Sequence, residues 1–298
     1  MSSNENAVGG VRPVITSRQN PRVLALSRLR ERAGRREAGL FLVEGLRELS
    51  RALGAGARGG IVDGIYYCPG FFKNASAAVA LVGEARRGRV PVFEVSAGVF
   101  EKVSGREGAD GLMGVARMWP VALGGVVLRG GLEGPPLVLV VEGVEKPGNL
   151  GALLRTADAA GCAAVICCDA VVDIFNPNVV RASQGALFSM PCAVASVAEV
   201  RAFLGAGGYA VFAAAPGAGR VYWEADFRGA VALVLGSEKD GLSEGWFCGG
   251  VPGRGVERIC IPQFGLSDSL NVGVAGAVCL FEAVRQRHAV ALAGVCGG

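Results

Sequence analysis

The stretch Leu137-Val138-Leu139-Val140-Val141-Glu142-Gly143-Val144-Glu145-Lys146-Pro147-Gly148-Asn149-Leu150-Gly151-Ala152-Leu153-Leu154-Arg155-Thr156-Ala157 decides the fold. Its first five residues are continuously apolar, the pattern of a short strand buried on both faces. Glycine and proline break the run. Leu150, Leu153, Leu154 and Ala157 then recur at helical spacing behind Asn149, read as the N-cap, with Gly161 as the stop. Arg155 falls off that apolar stripe. Strand, polar turn and amphipathic helix together open a parallel α/β unit, in which ligands bind beyond the carboxyl ends of the strands.

The same alternation continues downstream. Apolar strands are expected at 163–168, 209–213, 231–235 and 258–261, and helices at 149–160, 178–187, 197–204 and 269–287. Upstream, strands at 40–43, 61–68, 90–95 and 112–116 interleave with helices at 21–32, 44–53, 73–86 and 97–102. Residues 119–136 are punctuated by Gly and Pro as a connecting segment would be. The expectation is therefore an α/β protein in two parts: a small α/β domain over 12–118, a linker over 119–136, and a parallel-sheet α/β domain over 137–298.

Composition narrows the function classes. A chain of 298 residues with 51% hydrophobic and 19% charged residues is globular, which excludes disordered and fibrous readings. The apolar run at 269–284 carries Asn271 and Glu282 and falls short of the roughly 18 residues a membrane span needs, so a soluble protein is expected. Nine cysteines are an odd number, and residues 1–10 lack a secretory leader pattern, which points to reduced thiols in the cytoplasm. With one histidine and no C-x-x-C pair, no metal site is expected.

Charge is unevenly spread. Residues 11–60 hold eleven arginines against four glutamates, a net of +7, although the whole chain is only +4. Arginine's planar fork suits phosphates and stacked bases, so nucleic acid is the natural partner; a solvated helix face is the plainer alternative.

Two motif matches are discounted on context. G-x-G-x-x-G at 54–59 follows a helix instead of a strand. G-x-S-x-G at 241–245 would make Ser243, Asp268 and His288 a serine-hydrolase triad in chain order. The expected strand stops near Leu235, however, too early for a nucleophile elbow at Ser243.

Three loops remain, each at the carboxyl end of an expected strand: 141–157, 235–242 and 261–275. In the second, two glycines bracket Glu238 and allow close backbone approach to a ligand. In the third, Asn271 stands at the start of a helix apolar nearly all round, where a buried amide needs partners. Singly, each reading has a plain rival: a cap for Asn149, an ion pair with Asp158 for Arg155, a tight turn for Glu238.

Taken together, these loops resemble motifs 1, 2 and 3 of the SpoU (TrmH-like) branch of the SPOUT RNA methyltransferases. The matches are N-x-G-x-x-x-R-T-A at 149–157, G-S-E-x-x-G at 236–241 and I-P-x-x-G-x-x-x-S-L-N-V at 261–272, in family order. Residues 15–45, with Ser17, Asn20-Pro21, Arg36, Phe41 and Glu44-Gly45, resemble the start of the family's ribosomal-protein-L30-like substrate-binding domain. Lys146 and Gly273 depart from the family pattern. The resemblance implies a deep trefoil knot in the C-terminal domain, an obligate homodimer, and S-adenosylmethionine held by backbone groups of Leu235, Gly236, Ile261 and Leu270. It further implies methylation of a ribose 2′-hydroxyl in structured RNA. Ribosomal RNA is favoured, because members acting on transfer RNA often lack the L30-like domain; transfer RNA, or a non-catalytic RNA-binding protein on this scaffold, are the alternatives. Asn149, Arg155, Glu238, Ser269 and Asn271 are the expected catalytic set. A guanidinium with a pKa above about 12 is a poor base, so Arg155 is read as clamping a phosphate and stabilising developing alkoxide charge. Arg18, Arg22, Arg36 and Arg181 are the expected RNA contacts.

Overall fold

The computed structural model describes residues 13–55, 60–105, 108–130, 134–248, 251–253, 255–266 and 268–295, the last seven as backbone alone. They separate into two compact units, one through Met118 and one from Trp119 onward.

The first unit runs α1 (Pro21–Arg28), α2 (Arg32–Ala38), β1 (Leu40–Glu44), α3 (Leu46–Leu53), β2 (Val62–Tyr67), α4 (Ala75–Arg87), β3 (Val92–Glu94), α5 (Ala97–Val103) and β4 (Leu112–Arg117). Its sheet has the order β1-β4-β2-β3, with only β2 and β3 parallel. Asn20 caps α1 by accepting the Arg22 N–H at 2.9 Å, with Pro21 in the first turn. The helix expected over 21–32 ends at Arg28, and a second helix, not expected, begins at Arg32. Arg35, buried in α2, donates to the carbonyls of Leu29 and Arg30 at 3.1 and 2.7 Å and so fixes the reversal between them. One residue of the basic cluster thus serves the fold and is withdrawn from any partner.

The second unit runs β5 (Leu137–Glu142), α6 (Pro147–Ala159), β6 (Ala164–Cys168), α7 (Pro177–Ala182), β7 (Cys192–Ala195), α8 (Val197–Ala206), β8 (Ala210–Ala214), β9 (Arg220–Val221), β10 (Val231–Leu235), β11 (Val256–Cys260) and α9 (Val272–Val295). These strands form one parallel sheet in the order β7-β6-β5-β10-β8-β11-β9. All therefore finish at the same side. β5 and β10 are buried throughout, as strands covered on both faces must be. The chain passes from β10 to β11 on the far side of β8, then returns in α9, where Gly276 leaves room for Leu153 of α6 and Leu235 of β10; a Cβ there would sit 2.6 and 2.9 Å from their methyl carbons.

The segment expected as a linker is packed. Leu123, Val126 and Leu128 lie against the buried cluster containing Val140, Ala193 and Trp246. Val121 accepts the Val194 N–H at 2.7 Å, Trp119 stands edge-on to Phe175 at 4.8 Å, and Arg129 pairs with Asp158 at 2.9 Å. The reason is β7, an edge strand that would otherwise present unpaired backbone groups.

Candidate functional site

The site begins where β5 ends. Pro147 takes the first turn of α6 and Lys146 is the N-cap, with no side-chain bond. Asn149 is therefore inside the helix and is not its cap, contrary to expectation. Its amide is free to reach outward: Nδ2 donates to Glu238 Oε1, and Oδ1 accepts from Asn271 Nδ2 at 3.1 Å. One side chain thus joins all three strand-end loops.

Glu238 sits at the tip of a closed turn after β10. Ser237 N–H donates to the Gly241 carbonyl at 3.0 Å, the reverse bond spans 3.2 Å, and Asp240 N–H donates to Ser237 Oγ at 2.9 Å. Gly241 holds φ +69°, and a Cβ on Gly236 would overlap the Gly241 carbonyl and lie 2.5 Å from Leu242 N. Only glycine at 236 leaves that turn so tight.

Asn271 is exposed, at variance with the expected buried position. α9 starts at Val272, and Asn271 caps it: Oδ1 accepts the Gly273 N–H and its carbonyl accepts the Ala275 N–H, each at 2.9 Å. Ser269 is exposed nearby and makes no hydrogen bond among the described residues; Ser267 lies outside them. Leu235 and Gly236 leave β10 while Ile261 leaves β11. With β8 alone between them, the two exits stand two strand spacings apart, about 10 Å. Phe264 and Leu266 are bare to solvent on the third loop, Phe264 at 93%, and Leu270 is partly exposed.

Arg155 is exposed two turns into α6 and has no partner among the described residues. The rival ion pair is not formed, since Asp158 is held by Arg129 and accepts from Ser189 Oγ at 3.3 Å. On α7, Arg181 donates to Asn178 Oδ1 at 2.8 Å. In the first unit, Arg18 donates to the Gly98 carbonyl at 2.9 Å, Arg22 lies 4.5 Å over the Phe93 ring, and Arg36 is exposed without a partner among the described residues.

Sequence reading missed Glu142. It closes an apolar strand, is 7% exposed, and through Oε2 accepts from Ser243 N–H at 2.9 Å and Trp246 Nε1 at 3.1 Å. A lone carboxylate ending a buried strand was the available signal.

Other chemistry is not supported. No hydrogen bond joins Ser243, Asp268 and His288 among the described residues, and Gly54 follows α3 as a helix stop while 56–59 lie outside the described residues. Burial pushes the thiols of Cys162, Cys167 and Cys279 up to about 12 and that of Cys168 further, which leaves them protonated and unreactive. No group of three or more potential metal ligands occurs among the described residues.

Known proteins can now be set beside this geometry. Residues 136–281 match the model of the SpoU rRNA Methylase family, and residues 20–114 that of the MRM3-like substrate binding domain. The 23S rRNA (guanosine-2′-O-)-methyltransferase RlmB of Ralstonia nicotianae is 40% identical over 200 residues, 64% of this chain and 76% of that one. A crystal structure of an RNA 2′-O ribose methyltransferase superposes with a TM-score of 0.77 at 37% identity, covering 93% of this chain and all of the other. An AdoMet-bound rRNA methyltransferase from Sinorhizobium meliloti gives 0.78 at 27% identity, over 92% and 97% of the two chains.

Proposed function

The chain belongs to the SpoU rRNA methylase family, and from that premise we propose that the three joined loops are the catalytic centre of an S-adenosylmethionine-dependent RNA 2′-O-ribose methyltransferase with ribosomal RNA as substrate. The observation that carries the site is the chain of hydrogen bonds from Glu238 through Asn149 to Asn271, which ties residues 89 and 122 positions apart into one place.

Backbone groups of Leu235, Gly236, Ile261 and Leu270 would hold the cofactor: the turn after β10 carries no side chain at Gly236 or Gly241, and nothing stands within 4 Å of where a Cβ on Gly241 would lie. Bound there, S-adenosylmethionine supplies a methyl already made electrophilic by the sulfonium. The protein's remaining task is to align the sugar hydroxyl and manage its proton. Arg155, exposed and without a partner among the described residues, clamps a phosphate beside the target ribose and stabilises charge developing on its 2′ oxygen. Glu238, Asn149 and Asn271 hold one another in place and, with Ser269, position that hydroxyl. Arg18, Arg22 and Arg36 of the first unit and Arg181 of the second hold the surrounding RNA. The site is tested by tritium transfer from labelled S-adenosylmethionine to ribosomal RNA, with wild type active and Arg155→Ala and Asn271→Ala each about 100-fold slower. A folded wild type that binds no S-adenosylmethionine sinks the assignment.

The working unit in this reading is a homodimer. Leu270, Val274 and Phe281 are partly exposed apolar side chains on and before α9, and burying them against a second copy removes that exposure. Phe281→Glu is expected to yield monomer on sizing columns. The excursion from β10 beyond β8 to β11, followed by the packing of α9 back against α6 and β10 at Gly276, is the feature that favours a trefoil knot in this reading. A cytoplasmic site of action suits an enzyme of ribosomal RNA and agrees with buried cysteines such as Cys162, Cys167 and Cys279 being thiols.

A further inference from the structure

We infer that Glu142 is a positioning residue for the cofactor: its buried carboxylate fixes the far end of the Gly236–Gly241 turn, so that S-adenosylmethionine affinity depends on a side chain that does not touch the ligand. The inference rests on the assignment of that turn to the cofactor.

Both strand ends contribute. The turn is closed on itself by the paired Ser237 and Gly241 bonds, but its tip is exposed, so its placement depends on where the chain goes next. Two residues on, at Ser243, the backbone N–H is captured by Glu142 Oε2, and the same oxygen accepts Trp246 Nε1. Trp246 is itself fully buried, and the intervening Gly245 carbonyl accepts from Arg201 Nη1 at 2.7 Å. The exit of the turn is therefore pinned from β5, from α8 and from the core. The entry side meets β5 as well, since a Cβ on Gly143, at φ +61°, would lie 3.4 Å from Ser237 Cβ. Glu142 also stands seven residues before Asn149, so a single strand end sets both the turn carrying Glu238 and the helix start carrying its partner. A buried carboxylate is an acceptor only, suited to two converging N–H donors, and losing it leaves both unsatisfied.

The experiment uses the full chain. Calorimetric Kd for S-adenosylmethionine, RNA KM and thermal midpoint are measured for Glu142→Ala, Glu142→Gln and Trp246→Phe, with Gly236→Ala as the test of the turn itself. Glu142→Ala is expected to raise the Kd roughly 10- to 100-fold, with RNA KM unchanged and trypsin cutting after Lys239 faster than in wild type. Glu142→Gln, which keeps an acceptor oxygen, stays within about threefold of wild type, and Trp246→Phe, which removes one donor, falls between. Should Glu142→Ala fail to fold, Trp246→Phe decides through Kd and the Lys239 cleavage rate. A lowered melting point with unchanged Kd in these variants makes Glu142 merely structural and overturns the inference. Gly236→Ala leaving the Kd unchanged overturns the underlying site assignment instead, so the two failures are distinct.

Discussion

Arg155 and Asp158 lie one helical turn apart, the spacing of an i,i+3 ion pair, yet Asp158 is committed to Arg129. An exposed cation without a partner among the described residues is available to a ligand. Arg155→Ala should accordingly cut methyl transfer about 100-fold or more while leaving S-adenosylmethionine affinity and melting temperature unchanged, read by single-turnover kinetics and calorimetry. At the opposite extreme are the buried thiols. Those of Cys162, Cys167 and Cys279 are raised by burial from the usual 9 to about 12, so the unfolded chain ionises them first. The stability they contribute is complete below pH 9 and drains away as pH climbs toward 12, by on the order of 2 kcal/mol each at pH 10.5. Denaturant midpoints measured at pH 8 and 10.5 should show that fall, and replacing Cys167 with Ala should shrink it. At this scale the sequence was legible in identity more than in placement. Asn149 was found but put at the cap, because a Pro two residues earlier starts the helix and shifts the frame.

Elements carried by apolar periodicity were readable, and those held by other means were not. The strand expected at 231–235 coincides with β10, whose five residues are all buried. α2 reads Arg-Ala-Gly-Arg-Arg-Glu-Ala and has no apolar stripe; its only buried side chain is Arg35. β7 is four residues at an edge, and β9 two, too short for alternation to register. The helix expected over 178–187 stops at Ala182, because Gln184 and Gly185 take φ of +51° and +82°. Packing between elements was equally hidden. On α6, a Cβ at Gly151 would collide with Ala182 and lie 2.8 Å from both Ser183 N and the Val179 carbonyl. Gly151→Val should force α6 and α7 apart and lower stability by about 1–3 kcal/mol, measurable by urea unfolding, with greater loss than Gly148→Val, which meets open space.

For the whole molecule, the division into two units was legible as a change of composition, but the segment between was misread because glycines and prolines hide the apolar residues they separate. Trp119, Leu123, Val126 and Leu128 belong to the second unit's packing. A fragment beginning at Trp119 should therefore melt well above one beginning at residue 137, the difference amounting to about 3 kcal/mol from lost apolar burial. The comparison is open to circular dichroism.

The bond network around Asn149 also has a temporal side. Asn149 waits 89 residues for Glu238 and 122 for Asn271, and the helix that brings Asn271 back is the last one described. During translation the emerging chain can build most of its parallel sheet before this network closes. If that network is the catalytic centre proposed above, an enzyme born beside its own substrate is silent until Asn271 has been made, and a nascent product released before α9 would hold the sheet without the means to modify a ribosome.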